Sequence, residues 1–317
     1  MAKHKHKLIT FSFLMATSTV AIHFINRTVS AAAQLKQLLD YSSPRHFNWR
    51  FGDIYYTKKG SGSPLLLIHD TLPGACGYEW SRIEDALATE HTVYTVDLPG
   101  CGRSEKSGTT YTNFVYVQMI CDFIRKVIRQ KTDVIASGFS GSFVVMACHN
   151  EKELFNKIML VNPPELTKLQ QMPGRREHLL KLALEIPVFG TLVYHMVVSR
   201  ENVNNLFIER MYYNPFHTDA DISDAYYESA HKNSCYAKFL YSSIISRYIN
   251  INIRHALKSL DNSIYIVEGE AEPESKSILE EYTDVNPAIE TVILKHTKHI
   301  PHIEDPDAFL EQVGIFF

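Results

Sequence analysis

Past its leader, the chain alternates short runs of β-branched and apolar residues with longer stretches in which apolar positions recur every three or four residues. Seven of the short runs read as strands: 53–57, 65–68, 92–96, 133–136, 157–161, 263–267 and 291–294. Several have no polar face, as in Leu65-Leu66-Leu67-Ile68, which is what a strand covered on both sides requires. Residues 111–130 predict a helix, because Val117, Ile120, Cys121, Ile124, Val127 and Ile128 fall on one stripe. With no internal repeat or low-complexity linker, the alternation predicts an α/β fold with a mostly parallel sheet flanked by helices.

The rhythm breaks over 165–256, where helix-like pieces such as 178–186 and 202–213 follow one another without strands. This segment reads as a helical cap inserted into a core made of 46–164 and 257–317. It is rich in tyrosine (Tyr194, Tyr212, Tyr213, Tyr226, Tyr227, Tyr236, Tyr241 and Tyr248), and such rings combine an apolar body with a polar tip. They are expected to roof a pocket, or else to pack the cap.

Residues 1–45 read differently. Lys3, Lys5 and Lys7 precede an uncharged run, 8–26, that Arg27 closes. The run is long enough to cross a bilayer but carries several hydroxyls, so a membrane anchor is expected, with the lysines cytoplasmic and the remaining chain extracytoplasmic. Small residues at Val29-Ser30-Ala31 and Ala31-Ala32-Ala33 would also suit cleavage of a signal peptide and secretion. A buried amphipathic helix is the plain alternative.

A chain of 317 residues that is 45% hydrophobic and 21% charged can bury a full core. Its net charge of −3, without a dense basic patch beyond the first residues, gives no electrostatic reason to expect a nucleic-acid partner. The five scattered cysteines include no Cys-x-x-Cys pair, so neither a disulfide framework nor a zinc site is signalled.

A serine hydroxyl attacks well only when a base takes its proton, a third group orients the base, and donors meet the oxyanion. Ser140 sits in Gly138-Phe139-Ser140-Gly141-Ser142, between the strand at 133–136 and a helix-like run, and is the candidate nucleophile. His299, after the last strand, is the candidate base. His296, His299 and His302 are spaced like metal ligands, but Pro301 interrupts any helix that would align them, so no metal or other cofactor is expected. For the orienting acid, the strand at 263–267 ends in four alternating glutamates, of which Glu272 follows Gly269 by a turn's length; Glu165 is the rival. Main-chain N–H groups of Thr71 and Gly141 are the expected oxyanion donors.

With these residues in hand, residues 51–317 resemble the α/β-hydrolase superfamily, of the serine type with a helical cap. The motifs that carry the resemblance are Leu65-Leu66-Leu67-Ile68-His69-Asp70, Asp97-Leu98-Pro99-Gly100-Cys101-Gly102-Arg103-Ser104, the turn at 138–142, the segment 268–272, and the segment 299–306. The order Ser140, Glu272, His299 is also similar to the family's nucleophile, acid, base order. Three positions depart from it: Asp70 stands where a glycine is usual, Glu272 where an aspartate is, and Lys298 where a glycine is. Asp70 adds a carboxylate beside a site that must hold negative charge. Relatives that dehalogenate or open epoxides carry an aspartate at the turn, and this turn has none. The resemblance therefore implies an acyl-serine hydrolase of carboxylic esters, with a small-molecule ester or acyl partner. A membrane-anchored binding protein on the same scaffold and an acyltransferase are the alternatives.

Overall fold

The structure, a computed structural model, describes residues 2–40 and 44–317. Eight strands form one sheet: β1 (Arg45–Trp49), β2 (Gly52–Lys59), β3 (Ser63–Ile68), β4 (His91–Val96), β5 (Thr132–Ser137), β6 (Phe155–Val161), β7 (Ile264–Gly269) and β8 (Glu290–Leu294). Their order is β1-β2-β4-β3-β5-β6-β7-β8. From β4 to β8 all neighbours are parallel, while β1 and β2 pair antiparallel at one edge. The sheet therefore has the expected class. The strand that the sequence pattern does not show is β1, an edge strand in which Trp49 alone is buried and whose neighbours carry charge or polarity.

Both faces of the central strands are covered. Leu66 and Ile68 of β3 pack with Tyr116, Ile120, Phe123 and Phe143, which come from the helices Asn113–Phe123 and Ser140–Asn150. Leu65 and Leu67 face the other way, towards Trp80, Phe309 and Val313, the last two on the terminal helix Pro306–Phe316. A strand whose alternate residues are all buried must be apolar throughout, which is the pattern seen in its sequence. The stripe read over 111–130 is real, but the helix changes winding at Ile124–Ile128, a π-helical turn closed by Arg129 in a left-handed conformation.

Between β6 and β7 lie helices and turns without strands, among them Arg175–Glu185, Phe189–Val197, Arg200–Leu206, Ala220–His231 and Ser234–Ile245. Their shared core of Phe207, Met211, Tyr212, Ile222 and Tyr226 also includes Ala75, Ile300 and Ile303, so the helices rest directly on the loops that follow β3 and β8.

The leader forms a helix, Ala2–Ala33, and the side chains of its first half lie outside the described residues. The expected anchor over 8–26 thus falls partly there, and among the described residues no single helix is long and apolar enough to cross a membrane. The later part of the segment is joined to the inserted helices. Asn26 Nδ2 donates to Val188 O at 3.1 Å, Ser30 Oγ to His231 O at 2.7 Å, and Leu38 N to Glu228 Oε2 at 2.9 Å.

Candidate active site

The loop after β3 begins with His69, whose position is fixed by two backbone contacts. Its Nδ1 donates to Asp70 O at 2.6 Å and its Nε2 accepts from Leu98 N at 2.9 Å, which makes it a neutral structural ring. Leu98 belongs to the second sequence motif, where buried Asp97 accepts from Arg103 Nε at 2.7 Å and from Gly77 N at 2.7 Å. Burial pushes the Asp97 carboxyl up, but Arg103 outweighs it and holds the group down at about 2. That motif is a brace for the β3 loop.

The turn after β5 is not built as the sequence suggested. β5 runs on through Ser137, and Gly138, at φ +54°, is the residue in the left-handed region. Phe139 is already helical and the following helix begins at Ser140. The apex is therefore Gly138, and Ser140 lies two residues beyond it, fully buried. Its Oγ donates to His69 O at 2.7 Å and pairs with Thr71 Oγ1 at 2.8 Å. The structure does not bring Ser140 to His299. Two overlapping strings of small residues, Gly138-x-Ser140-x-Ser142 and Ala136-x-Gly138-x-Ser140, satisfy the same turn pattern, and the length of β5 decides between them.

The space above the apex is filled by Asp70. A Cβ placed on Gly138 would collide with Cγ and both carboxylate oxygens of Asp70. Asp70 Oδ1 accepts from Thr71 N at 2.6 Å and from Phe139 N at 2.7 Å. These two N–H groups converge on one oxygen as oxyanion donors would. Thr71 is where the sequence placed it. Gly141 is not: its N–H closes the turn on Gly138 O at 3.2 Å, and the residue after the apex, Phe139, takes its place.

His299 and Glu272 do meet. Glu272 N bonds Gly269 O in the expected turn, and Glu272 Oε1 lies 2.9 Å from His299 Nδ1. On the other side, His299 Nε2 lies 3.2 Å from Asp70 Oδ2. Carboxylates only accept, so a ring with a carboxylate at each nitrogen carries both protons. The electrostatics agree. Burial disfavours the charged ring, but the bonds to Asp70 and Glu272 prevail and hold His299 well above the usual histidine range. Glu165 is elsewhere, paired with Lys168 and, at 3.2 Å, Thr167.

The two other histidines have separate roles. His296 N donates to Glu270 Oε2 at 3.1 Å. His302 is buried, stacked on Trp80 at 4.3 Å, with Nε2 3.4 Å from Glu79 Oε1. Glu79 also accepts from Tyr226 OH at 2.8 Å. Asn162, just after β6, is a site residue that sequence reasoning missed. It adopts a left-handed φ of 45°, donates from Nδ2 to Lys298 O and His299 O at 2.8 Å each, and accepts from Gly269 N at 2.8 Å. One amide thus locks the His299 loop to the Gly269 turn. Its one sequence signal is the turn Asn162-Pro163-Pro164, asparagine being a residue that takes a left-handed backbone more readily than most.

A cavity of about 430 Å³ opens over Asp70, Glu272 and His299. Its cap side is made by Leu206, Glu209, Arg210 and Met211, not by tyrosines. Tyr194 and Tyr226 are fully buried and bond within the fold, so they pack the inserted helices instead of roofing the pocket.

With this geometry in view, the chain can be set beside known proteins. The family described as "Alpha/beta hydrolase family" matches residues 65–312. The chain belongs to the α/β-hydrolase family. Over 109 residues, 34% of its length, this α/β hydrolase is 28% identical to a soluble epoxide hydrolase of Corynebacterium sp. (strain C12); the match spans 37% of that relative. Among solved structures it is similar to a serine hydrolase of carbazole degradation, with a TM-score of 0.72 and 18% identity over 86% of this chain and 98% of that one. It is also similar to a membrane phospholipase A, with a TM-score of 0.68 and 20% identity over 98% of this chain and 97% of that one. At such identities the structural likenesses show the fold.

Proposed function

We propose that this α/β hydrolase cleaves a small substrate held in the 430 Å³ cavity, with His299 moving the proton and Glu272 orienting His299. The observation that carries the reading is the Glu272–His299–Asp70 line of hydrogen bonds facing that cavity, in a chain of a hydrolase family. The position of Glu272 supports its part: a carboxylate at Nδ1 fixes the ring so that Nε2 points at the reacting atoms.

The carboxylic-ester reading through an acyl-serine has less behind it. Ser140 Oγ gives its proton to a carbonyl and has no base among its hydrogen-bond partners. The likeness to an epoxide hydrolase supports instead a substrate attacked at carbon bearing a leaving group. A non-catalytic binding protein is the second reading, and one observation favours it: both converging N–H donors are already occupied by the chain's own Asp70.

Turnover of a panel of p-nitrophenyl esters, aryl epoxides and bromoalkanes separates these readings. His299→Gln is expected to lower turnover of the accepted class by on the order of 10³ and Glu272→Gln by on the order of 10². Unchanged rates in both variants would remove the proton-transfer role. No turnover of any class by the wild type would favour the binding protein.

A further inference from the structure

We propose that Asp70 is the covalent nucleophile of this chain, delivered from the β3 loop into the space that a side chain at position 138 would fill, and that its substrate is an alkyl carbon bearing a leaving group. The proposal rests on the His299–Glu272 reading above and adds the nucleophile and the bond broken.

Three features of the structure carry it. First, the turn whose apex ordinarily presents a side chain to the base presents none, because Gly138 stands there, and the Asp70 carboxylate lies within the volume that its Cβ would take. Secondly, the two oxygens of Asp70 are divided between roles. Oδ1 is held by Thr71 N and Phe139 N, while Oδ2 faces His299 Nε2 and the cavity. Thirdly, the Asp70 backbone is fixed at both ends: Glu79 accepts from its N–H at 3.3 Å, and His69 donates to its carbonyl at 2.6 Å. The side chain is aimed by its own loop.

The division of the oxygens selects the electrophile. In acyl transfer to a serine, the paired N–H groups must receive the substrate's carbonyl oxygen. Here they hold the protein's own carboxylate, so an acyl substrate finds no oxyanion donors. For attack on an alkyl carbon no such donors are needed in the first step. They are needed in the second, when the carbonyl oxygen that develops charge is Oδ1 of the enzyme ester itself, already in place.

The chemistry balances. Asp70 Oδ2 forms a bond to the carbon, the bond to the leaving group breaks, and the electron pair departs with it as halide or epoxide alkoxide. Asp70 loses its charge as it becomes an ester, so the proton on His299 Nε2 loses its acceptor and passes through cavity water to the alkoxide, or to solvent when halide leaves. Neutral His299 then takes a proton from water as the water oxygen bonds to Cγ of Asp70. The tetrahedral oxyanion rests between Thr71 N and Phe139 N. Its collapse expels the product alcohol, which takes the proton of the added hydroxyl, and restores carboxylate and imidazolium. Net, an epoxide and water give a diol, and a halide and water give an alcohol, halide and a proton.

The test uses the full chain carrying His299→Gln, which blocks the second step, with 4-nitrostyrene oxide and 1-bromohexane as probes at millimolar concentration. The expected result is an intact-mass gain of one probe-derived group, mapped to the peptide containing Asp70 and lost in Asp70→Asn. A second variant pair, Asp70→Gly with Gly138→Ser, keeps the test independent of probe choice. It empties the N–H pair and puts a hydroxyl at the apex, and it is expected to react with a fluorophosphonate at position 138 where the wild type does not react. No adduct with either probe, an adduct on another residue, or fluorophosphonate reaction of the wild type at Ser140 would overturn the proposal. Loss of the adduct with His299 still required for turnover would sink the Asp70 assignment alone. Turnover indifferent to His299 and Glu272 would sink the reading beneath it.

Discussion

At the scale of the residue, the site turns on how few atoms separate two chemistries. Gly138 matters for the side chain it lacks. A methyl group there must take the left-handed φ and meet the Asp70 carboxylate, so Gly138→Ala is expected to cost about 2 kcal/mol in stability and to displace Asp70. Thermal unfolding together with the position of the His299 ring protons in an NMR titration checks both halves. A second buried carboxyl lies at the end of β7. Burial, followed by the charge of Glu272, pushes Glu268 up to about 8, against a smaller opposing effect of His299. Glu268 therefore keeps a proton in the folded state that the unfolded chain releases above about pH 4.5, so its contribution to stability falls as pH rises from there to about 8. Glu268→Gln is expected to flatten that fall, by up to about 3 kcal/mol at pH 7, in denaturant melts run from pH 5 to 8. An unchanged pH slope would show that Glu268 is ionised when folded.

At the scale of the element, what was legible in the sequence follows from how completely each segment is buried. β3 to β7 are buried over most of their length and announced themselves; β8 has one buried residue but keeps the run Thr291-Val292-Ile293-Leu294, whereas in β1 Arg45, His46 and Asn48 interrupt the apolar positions and hide it. The turn at Gly269 and the placement of Glu272 and His299 were readable because a strand end and a short glycine turn leave little freedom. The apex of the β5 turn was not, because glycine and serine at 138, 140, 141 and 142 permit two registers, and only the extension of β5 to Ser137 separates them. Asp70 was visible as a departure, but its reach into the space over Gly138 is a contact between two loops far apart in sequence. Asn162 belongs to this scale as well. Its amide joins the ends of β6 and β7 to the His299 loop, so Asn162→Ala is expected to leave the fold intact, lower kcat by 10-fold or more and leave KM near the wild-type value. A change confined to KM would contradict a positioning role.

At the scale of the whole molecule, the leader is part of the packing of the inserted helices. Buried Glu228 accepts from Leu38 N and Leu39 N, and Asp224 pairs with Lys36 and Arg200. Removing residues 1–40 would leave Glu228 without those donors, at a cost of about 1–3 kcal/mol, and would uncover Ala225 and the His231 carbonyl. The truncated chain is expected to melt several degrees lower while the parallel sheet remains; an unchanged melting temperature would mean that the contacts contribute nothing. The inserted helices in turn rest on the β3 and β8 loops through Phe207, Met211 and Ile300, so their stability bears on where Asp70 and His299 stand.

The most direct measurement is a single turnover in H₂¹⁸O with enzyme in excess over 4-nitrostyrene oxide. If Asp70 forms the ester and water attacks its Cγ, the diol leaves with unlabelled oxygen, and the peptide containing Asp70 gains about 2 Da from one solvent oxygen. If water attacks the substrate directly, or if Ser140 carries the intermediate, the Asp70 peptide stays unlabelled. That outcome would contradict a nucleophile at Asp70.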